Sequence, residues 1–331
     1  MFGPEFLYVS VVVVIAWLYD YYNGANDAAN AIATTVSTRV LSPGKALALA
    51  ALLNGAGAFV STRVAKTIGK GIVDPELLGG VVLIAALIGA VVWVALSTRM
   101  GLPVSVTHAL VGGIIGAVAI PHHFGVLKVA GLSKILLGIV LSPLLGLLGA
   151  ALLLILLYAL SLRSTAASVQ RRYSVLQLVS AAWMALSHGM NDTQNAMAMI
   201  TVALYTTGAI QEFEVPWWVL VGSGLFMALG TYAGGWRVIK TLGMRIAKIR
   251  PIHGFAAETA AGGVIMAATF LGIPISTTHA ITGAVLGVSV AERPRAVRWY
   301  VTRDIVLAWI FTIPGSAILA GVVYALLRLF F

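Results

Sequence analysis

Two pairs of matching strings decide the architecture of this chain. NGANDAANAIA at residues 23–33 returns as HGMNDTQNAMA at 188–198, and LPVSVTHALVGG at 102–113 returns as IPISTTHAITGA at 273–284. The strings keep the same order and similar spacings, which indicates an internal duplication. Both elements contain polar residues inside otherwise apolar sequence, so the repeats also indicate where function is concentrated.

The duplication predicts two halves joined by a short linker. A third matching pair, STRVAKTIG near 61–69 and GWRVIKTLG near 235–243, supports this division. We expect a first membrane repeat at 1–160, a basic linker at 161–173 and a second membrane repeat at 174–331. The linker is polar and too short to form a soluble domain.

The composition indicates that lipid surrounds most of the chain. Of the 331 residues, 60% are hydrophobic and 10% are charged, and the mean hydropathy is +0.98. Apolar stretches that approach or exceed the roughly 20 residues of a membrane-spanning helix recur along the chain and predict about 10–12 membrane segments. We therefore expect an all-α, multi-pass integral protein of the cell (plasma) membrane. Its net charge of +10 is assigned to cytoplasmic loops and not to a nucleic-acid partner.

The distribution of basic residues predicts that the two halves have opposite topology. The loops 237–250 and 293–303 hold five and four basic residues, whereas their first-half counterparts hold fewer. Under the positive-inside rule this asymmetry favours two inverted repeats. With a cytosolic linker, both termini are then expected outside the cell.

Asp27 and Asp192 are the acidic residues of the first repeated string. A charged group at membrane depth costs about 2.5–3.5 kcal/mol or more unless it is paired or hydrated. Carboxylate and amide oxygens suit a hard monovalent cation that must be released again. We predict cation binding at Asn26, Asp27, Asn30, Asn191, Asp192 and Asn195. Within this set, Na+ is expected at Asn26, Asp27, Asn191 and Asp192.

Glycines and prolines in the repeats predict interruptions of the membrane helices. Gly24 and Gly189 precede the two acidic turns, where unwinding would expose backbone carbonyl groups. Pro103 and Pro274, each shortly after a glycine, are also break signals. The expected fold is therefore two inverted-topology repeats with broken helices or re-entrant hairpins.

The second repeated string places hydroxyl groups directly after the predicted proline breaks. A Ser or Thr there caps the next helix, whose free N–H groups attract an anion. Hydroxyls and helix N-termini can surround a tetrahedral oxyanion with donors. A buried Arg or Lys would bind it too tightly for release. We predict phosphate or sulfate binding by Ser105, Val106, Thr107, His108, Ser276, Thr277, Thr278 and His279.

Each motif also has a purely structural interpretation, because polar residues bond neighbouring helices in membrane bundles. The duplication favours function for both motifs. For His108 and His279, donation to the anion, proton transfer and a bond to a backbone carbonyl all remain open. His188 is assigned to local packing.

Two acidic residues lie outside the repeated strings. Glu258 leaves two interpretations open, a cation pathway and a salt bridge to a loop arginine. Asp20 lies beside Tyr19 and Tyr21, which predicts a position in an interfacial belt.

The strings GANDAANA, PVSVTH, HGMNDTQNAM and PISTTH, in this order and duplicated, resemble the signatures of the inorganic phosphate transporter (PiT) family. The resemblance covers almost the whole chain. It implies phosphate symport driven by sodium or protons, an inverted-repeat fold and commonly a homodimer. The family's Asn-Asp positions fall on Asn26, Asp27, Asn191 and Asp192. Its Ser-Thr-His positions fall on Ser105, Thr107, His108, Ser276, Thr278 and His279.

The chain departs from the family pattern in two places. Many eukaryotic members have a glutamate where this chain has Asn54, and they carry a long central loop that this sequence lacks. The differences leave regulation and cation stoichiometry open.

The function predicted from these observations is secondary active import of inorganic phosphate by cation symport. Sodium is favoured over the proton as the co-transported ion, and neither a cofactor nor enzymatic activity is expected. The alternative within transport is a sulfate permease of the same family. A phosphatase acting on lipid pyrophosphate would need a clustered acid or basic phosphate clamp at membrane depth, and a passive anion channel would have little use for paired buried carboxylates.

Overall fold

The computed structural model describes residues 3–330, and all regular secondary structure in that range is helical. Residues 1, 2 and 331, the outermost residues of the two predicted halves, lie outside the described residues. The first six helices are α1 (Pro4–Ser37), α2 (Pro43–Gly57), α3 (Arg63–Gly71), α4 (Val81–Met100), α5 (Val106–His122) and α6 (Val129–Ser161). The following helices are α7 (Ala166–Asp192), α8 (Gln194–Thr206), α9 (Trp217–Ala233), α10 (Trp236–Lys240), α11 (Pro251–Phe270), α12 (Thr277–Glu292) and α13 (Trp299–Leu327).

The order of elements in residues 4–161 recurs in residues 166–327. α1 corresponds to α7 and α8 together, which are separated at Thr193, and α3 corresponds to α10 with the π-helical turn Thr241–Arg245. Short 3-10 helices connect α5 to α6 and α12 to α13 in the same way: Phe124–Val126 and Pro294–Ala296. Sequence repeats and element order therefore agree.

Four helices of residues 3–330 are long and apolar enough to cross a membrane: α1, α4, α6 and α13. A fifth span results if α9 and the segment Trp236–Arg245, which meet at 62°, are counted as one. This number is lower than the 10–12 segments expected from hydropathy. The helices outside this count are shorter or less apolar. α5, for example, is apolar but has 17 residues, so at about 1.5 Å per residue it is roughly 25 Å long and falls short of the hydrocarbon core.

Contacts between the two groups of helices come in matched pairs. α12 packs on α6 and α5 packs on α13, while α1 packs on α9 and α7 packs on α2. As a result, α1, α7 and α8 meet in the interior, where the first turn of α12 reaches them. Leucines of α6, including Leu137, Leu148 and Leu156, are exposed on the outer surface, where lipid is the solvent.

The structure contradicts the helix breaks predicted at Gly24 and Gly189. α1 continues through Gly24 to Ser37, and α7 continues through Gly189 to Asp192. A Cβ atom at Gly24 would lie 2.3 Å from the Met227 carbonyl oxygen, and one at Gly189 would lie 2.1 Å from the Asn54 carbonyl oxygen. These glycines therefore serve close packing of helices, as small residues do in membrane bundles.

Pro103 and Pro274 do lie in non-helical segments. The first link, residues 101–105, separates α4 from α5, and the second link, residues 271–276, separates α11 from α12. Gly101 and Gly272 open the turns with left-handed φ angles of +75° and +68°, which glycine adopts without steric cost.

The packing role of the glycines predicts that Gly24→Ala and Gly189→Ala lower thermal stability. Each added methyl group must separate two helices, and overpacking of this kind costs about 1–3 kcal/mol. Melting of the purified protein in detergent measures the effect. Gly263→Ala in α11 is the matched control, because a Cβ atom there meets nothing within 4 Å. Wild-type melting of Gly24→Ala would contradict this interpretation.

Candidate functional site

The two repeated acidic residues lie in one buried centre. His188 Nε2 lies 3.4 Å from Asp27 Oδ2 and 3.2 Å from Asp192 Oδ2. The ligand atoms of these three side chains all lie within 4.8 Å of one another, and none of the residues is more than 1% exposed. Two carboxylates thus face a single imidazole, so with both carboxylates ionised the centre carries negative charge even when the imidazole is protonated.

The first turn of α12 contacts both carboxylates. The Thr277 hydroxyl lies 3.0 Å from Asp192 Oδ2 and 3.4 Å from Asp27 Oδ2. The Thr278 hydroxyl lies 3.1 Å from Asp27 Oδ1 and 3.2 Å from the Val104 carbonyl oxygen. Residues predicted to bind the anion therefore touch residues predicted to bind the cation.

Each predicted cation-binding asparagine donates its amide N–H to a threonine. Asn30 reaches Thr278 at 3.1 Å, and Asn195 reaches Thr107 at 3.0 Å. The other pairs are Asn26 with Thr98 at 2.8 Å and Asn191 with Thr269 at 2.7 Å. These bonds connect the acidic turns to helices that precede or follow the two links.

Several buried oxygens of these side chains have no hydrogen-bond donor among residues 3–330. They are the Oδ1 atoms of Asn23, Asn26, Asn30, Asp192 and Asn195. An unsatisfied buried acceptor costs about 1–3 kcal/mol, and such atoms are uncommon in folded proteins. The set is chemically suited to coordinating a hard cation.

The helix N-termini next to the links supply hydrogen-bond donors. Ser105 accepts from the His108 N–H at 3.2 Å, and Ser276 accepts from the His279 N–H at 3.1 Å. Both serines therefore cap their helices. The earlier N–H groups of each first turn, at Val106 and Thr107 and at Thr277 and Thr278, have no intrahelical acceptor.

His108 and His279 lie against each other, with ring centroids 4.9 Å apart. His279 also stacks on Trp309 at 3.8 Å, and its Nδ1 lies 3.5 Å from the Ile139 carbonyl oxygen. Of the three roles left open for these histidines, the bond to a backbone carbonyl is the one that His279 makes here.

The interpretation of His188 as a local packing residue is wrong. Its Nδ1 lies 3.1 Å from Asn54 Oδ1, while its Nε2 faces the two carboxylates. His188 and Asp192 are four residues apart, and such residues share one helix face. That spacing could have revealed the contact from the sequence. The position of Asn54 depends on the packing of α2 against α7, which no local pattern encodes.

Glu258 does not form the salt bridge to a loop arginine that the sequence left open. Its buried carboxylate accepts hydrogen bonds from Thr35 at 3.0 Å and Gln177 at 3.0 Å. Thr34 and Ser180 donate to the same carboxylate. Four donors therefore satisfy this side chain.

The third repeated string fixes the two links. Arg63 donates to the Phe270 carbonyl at 2.6 Å, and Thr67 donates to the Gly272 carbonyl at 2.7 Å. In the matching place, Arg237 donates to the Arg99 carbonyl and Thr241 donates to the Gly101 carbonyl, the latter at 2.9 Å. We call these two sets the cross-clamps, because each joins one half of the chain to the link of the other half.

Apolar helices around a buried centre of carboxylates, amides and helix N-termini define a multi-pass membrane transporter for ions. The sequence profile described as "Phosphate transporter family" matches residues 23–320, so the chain belongs to that family. It is a transporter and not an enzyme.

Named relatives agree with this assignment. The chain is 44% identical over 315 residues to a probable low-affinity inorganic phosphate transporter of Rhizobium meliloti (strain 1021), covering 95% of this chain and 94% of the relative. It is 39% identical to a protein of the same description from Bacillus subtilis (strain 168), with 97% of each chain covered. A solved structure described as "The sodium-dependent phosphate transporter" has a TM-score of 0.90 at 26% identity, covering 98% of this chain and 100% of that one.

The cross-clamps predict that Thr67→Val and Thr241→Val weaken phosphate binding without unfolding the protein. Loss of one hydrogen bond of about 1 kcal/mol corresponds to a roughly fivefold higher half-saturation concentration. Phosphate uptake by proteoliposomes measures it, and Thr67→Ser should restore the wild-type value. The control is Thr207→Val, because this hydroxyl bonds only carbonyls of its own helix region. An equal loss in the control and the clamp variants would refute the assignment.

Proposed function

We propose that this protein imports inorganic phosphate by symport with sodium. The family assignment supports phosphate as the substrate. The similarity to a structure described as a sodium-dependent phosphate transporter favours sodium over the proton. The observation that carries the proposal is the pair of α12 threonine hydroxyls bonded to both Asp27 and Asp192.

Cations bind at the acidic turns. Asp27 and Asp192 supply charge, and the unsatisfied amide oxygens of Asn26, Asn30 and Asn195 supply neutral ligands. Asn191, next to Asp192 in the acidic turn of α7, donates its amide N–H to Thr269 of α11 and completes the predicted set. Two carboxylates against one imidazole leave negative charge that a monovalent cation neutralises.

Phosphate binds at the N-termini of α5 and α12. Their free N–H groups and the hydroxyls of Thr107, Thr277 and Thr278 are hydrogen-bond donors suited to an oxyanion. Among the described residues, no lysine or arginine is fully buried. The site therefore binds through dipoles and hydroxyls, which favours release on the other side of the membrane.

Coupling of the two ions follows from the hydrogen-bonding capacity of the threonines. A hydroxyl group has one proton to donate, and Thr277 directs it toward the carboxylates. A cation on Asp192 competes for the same oxygen, which frees the Thr277 hydroxyl to donate to phosphate. Cation binding thus prepares the anion site, and this predicts that sodium binds before phosphate.

The membrane potential supplies a reason for coupling. Inward movement of an anion against an inside-negative potential costs about 2.3 kcal/mol per charge per 100 mV. Divalent phosphate costs about twice that amount. Two sodium ions cancel the charge, and a third makes entry electrically favourable.

The same proposal includes the arrangement in the membrane. The two halves form inverted repeats in the plasma membrane, with the basic linker in the cytosol and both termini outside, and the protein is a homodimer. The matched contacts between the halves support a two-fold relation, and the basic residues of the second-half loops support the orientation. The chain contains no cysteine, so labelling of single introduced cysteines from either side tests the topology.

Reconstituted protein should accumulate labelled phosphate when a sodium gradient is imposed. Asp27→Asn and Asp192→Asn should each reduce this uptake by about a hundredfold, because loss of one charge from a buried ionic cluster costs about 3 kcal/mol or more. Folding of both variants is checked by gel filtration.

The uptake assay includes a proton gradient without sodium and unlabelled sulfate as competitor. Uptake driven only by protons would overturn the sodium assignment, and competition by sulfate equal to that by phosphate would overturn the substrate. Near-normal sodium dependence in both aspartate variants would contradict the proposed cation site.

Thr277→Val should raise the half-saturation concentration of phosphate by about tenfold, since hydrogen bonds to charged groups contribute about 1.5–3 kcal/mol. Thr277→Ser, which keeps the donor, should stay close to wild type. Thr282→Val is the matched control, because Thr282 is buried on the same helix and its hydroxyl has no partner. An unchanged half-saturation value for Thr277→Val would exclude the hydroxyl from phosphate binding.

A further inference from the structure

Asp20 is a buried carboxylate without a hydrogen-bond donor. It lies on α1 near the middle of the helix, and its exposed fraction is 0%. Neither Oδ1 nor Oδ2 has a partner among residues 3–330. The expected position in an interfacial belt is therefore wrong, because Asp20 faces the protein interior and has no contact with the membrane surface.

Glu258 is a buried carboxylate that, unlike Asp20, accepts hydrogen bonds from neighbouring side chains. Glu258 is equally buried and receives hydrogen bonds from three hydroxyls and one amide. Asp20 receives none. Burial of a carboxylate without hydrogen-bond donors is strongly unfavourable. A bound ligand that neutralises the charge would remove this cost.

Other unsatisfied oxygens lie beside Asp20. Asn23 follows three residues later on the same helix face, and its Oδ1 has no donor. Ser223 of α9 lies close enough to the Asp20 carboxylate to favour its charged form, but the two side chains do not reach hydrogen-bond geometry and the Ser223 hydroxyl has no other partner among residues 3–330. All three side chains are 0% exposed. Asp20 and Ser223 therefore place three unsatisfied buried oxygens between α1 and α9, and Asn23 carries a fourth one helical turn further along α1.

This cluster is connected to the Asp27–Asp192 centre. Asn23 donates its amide N–H to the backbone carbonyl of Asp192 at 3.4 Å. The same asparagine thus contacts the acidic turn of α7 with its nitrogen and leaves its oxygen free. Occupation of the cluster would act on the turn that carries Asp192.

The acidic residue of this cluster has no counterpart in the second half of the sequence, although the strings that follow it are duplicated. Asp20 lies seven residues before Asp27, and the residue seven positions before Asp192 is Ala185, which is buried and apolar. A feature needed for the packing of both halves would be expected in both. A carboxylate without hydrogen-bond donors in one half alone is better explained by a ligand that binds in that half.

We propose that Asp20, Asn23 and Ser223 form a further sodium-binding site, separate from the pair of acidic turns. The ligand set is one carboxylate with neutral amide and hydroxyl oxygens, which suits a hard monovalent cation. A divalent cation would keep excess charge that a single carboxylate does not neutralise. The inference deepens the proposed function, since it adds one sodium ion to the transported set.

Sodium binding to purified protein tests the site without transport. Sodium chloride is titrated against choline chloride at constant ionic strength, without phosphate, and thermal melting is recorded. Wild-type protein should melt at increasing temperature as sodium rises. Asp20→Asn, which keeps the shape of the side chain, should reduce this shift, and Ser223→Ala should raise the half-maximal sodium concentration severalfold.

Proteoliposomes then measure the flux ratio of labelled sodium to labelled phosphate. Asp20→Asn should transport about one sodium ion fewer per phosphate than wild type. Ser142→Ala is the matched control, because Ser142 of α6 is also buried with an unpartnered hydroxyl, and it should match wild type in both assays.

An unchanged sodium titration in both Asp20→Asn and Ser223→Ala overturns the site. So does a variant that keeps its sodium ratio but loses coupled proton uptake, because the occupant would then be a proton. If Asp20→Asn fails to fold, Ser223→Ala decides alone. If wild type shows no sodium-driven uptake, the proposed function fails, yet the melting assay still decides whether sodium binds at Asp20.

Discussion

The structure depends on placing two like charges, Asp27 and Asp192, in one buried centre. At 3.4 Å and 3.2 Å from the His188 nitrogen, the carboxylates would repel each other strongly in a medium of low polarity. One imidazole and several hydroxyls contact the carboxylates, and no lysine or arginine is buried within residues 3–330. The negative charge of the two ionised carboxylates is therefore only partly neutralised by the protein. The helix N-termini of α5 and α12 add partial positive charge nearby, and the amide oxygens without donors remain available as ligands of a cation.

The acidic turns and the helix N-termini with their Ser and Thr residues lie far apart in the sequence but contact each other in the structure. Threonines of the anion motif donate to carboxylates of the cation motif, and asparagines of the acidic turns donate back to threonines. Neither site can change its occupancy without altering hydrogen bonds of the other. A symporter needs this property, because independent sites would let one ion move without its partner. In the proposed mechanism this linkage is reciprocal, so phosphate also strengthens cation binding.

Hydropathy and repetition in the sequence predicted the helical membrane fold, and repetition marked Asp27 and Asp192, which the structure brings together. His188 was missed because its position in the string is not repeated in the first half. Local patterns failed where an outcome depends on packing between distant segments. Gly24 and Gly189 resemble helix-breaking glycines in the sequence. Whether such a glycine unwinds its helix or allows a second helix to pack closely depends on which helix contacts it. Asp20 sits among tyrosines, which indicates an interface only if its helix face points outward. Hydropathy also does not separate a full membrane span from a shorter apolar helix such as α5, which has 17 residues.

The cross-clamps have a consequence for how the protein is made. Arg99 and Arg237 are 138 residues apart in the chain, and Arg63 and Phe270 are 207 residues apart. During synthesis the first link has left the ribosome long before its clamp exists. The amino-terminal half must therefore wait in the membrane in an incomplete form, with an unsupported loop, until the second half arrives. Complete assembly of both links therefore requires both halves of the chain.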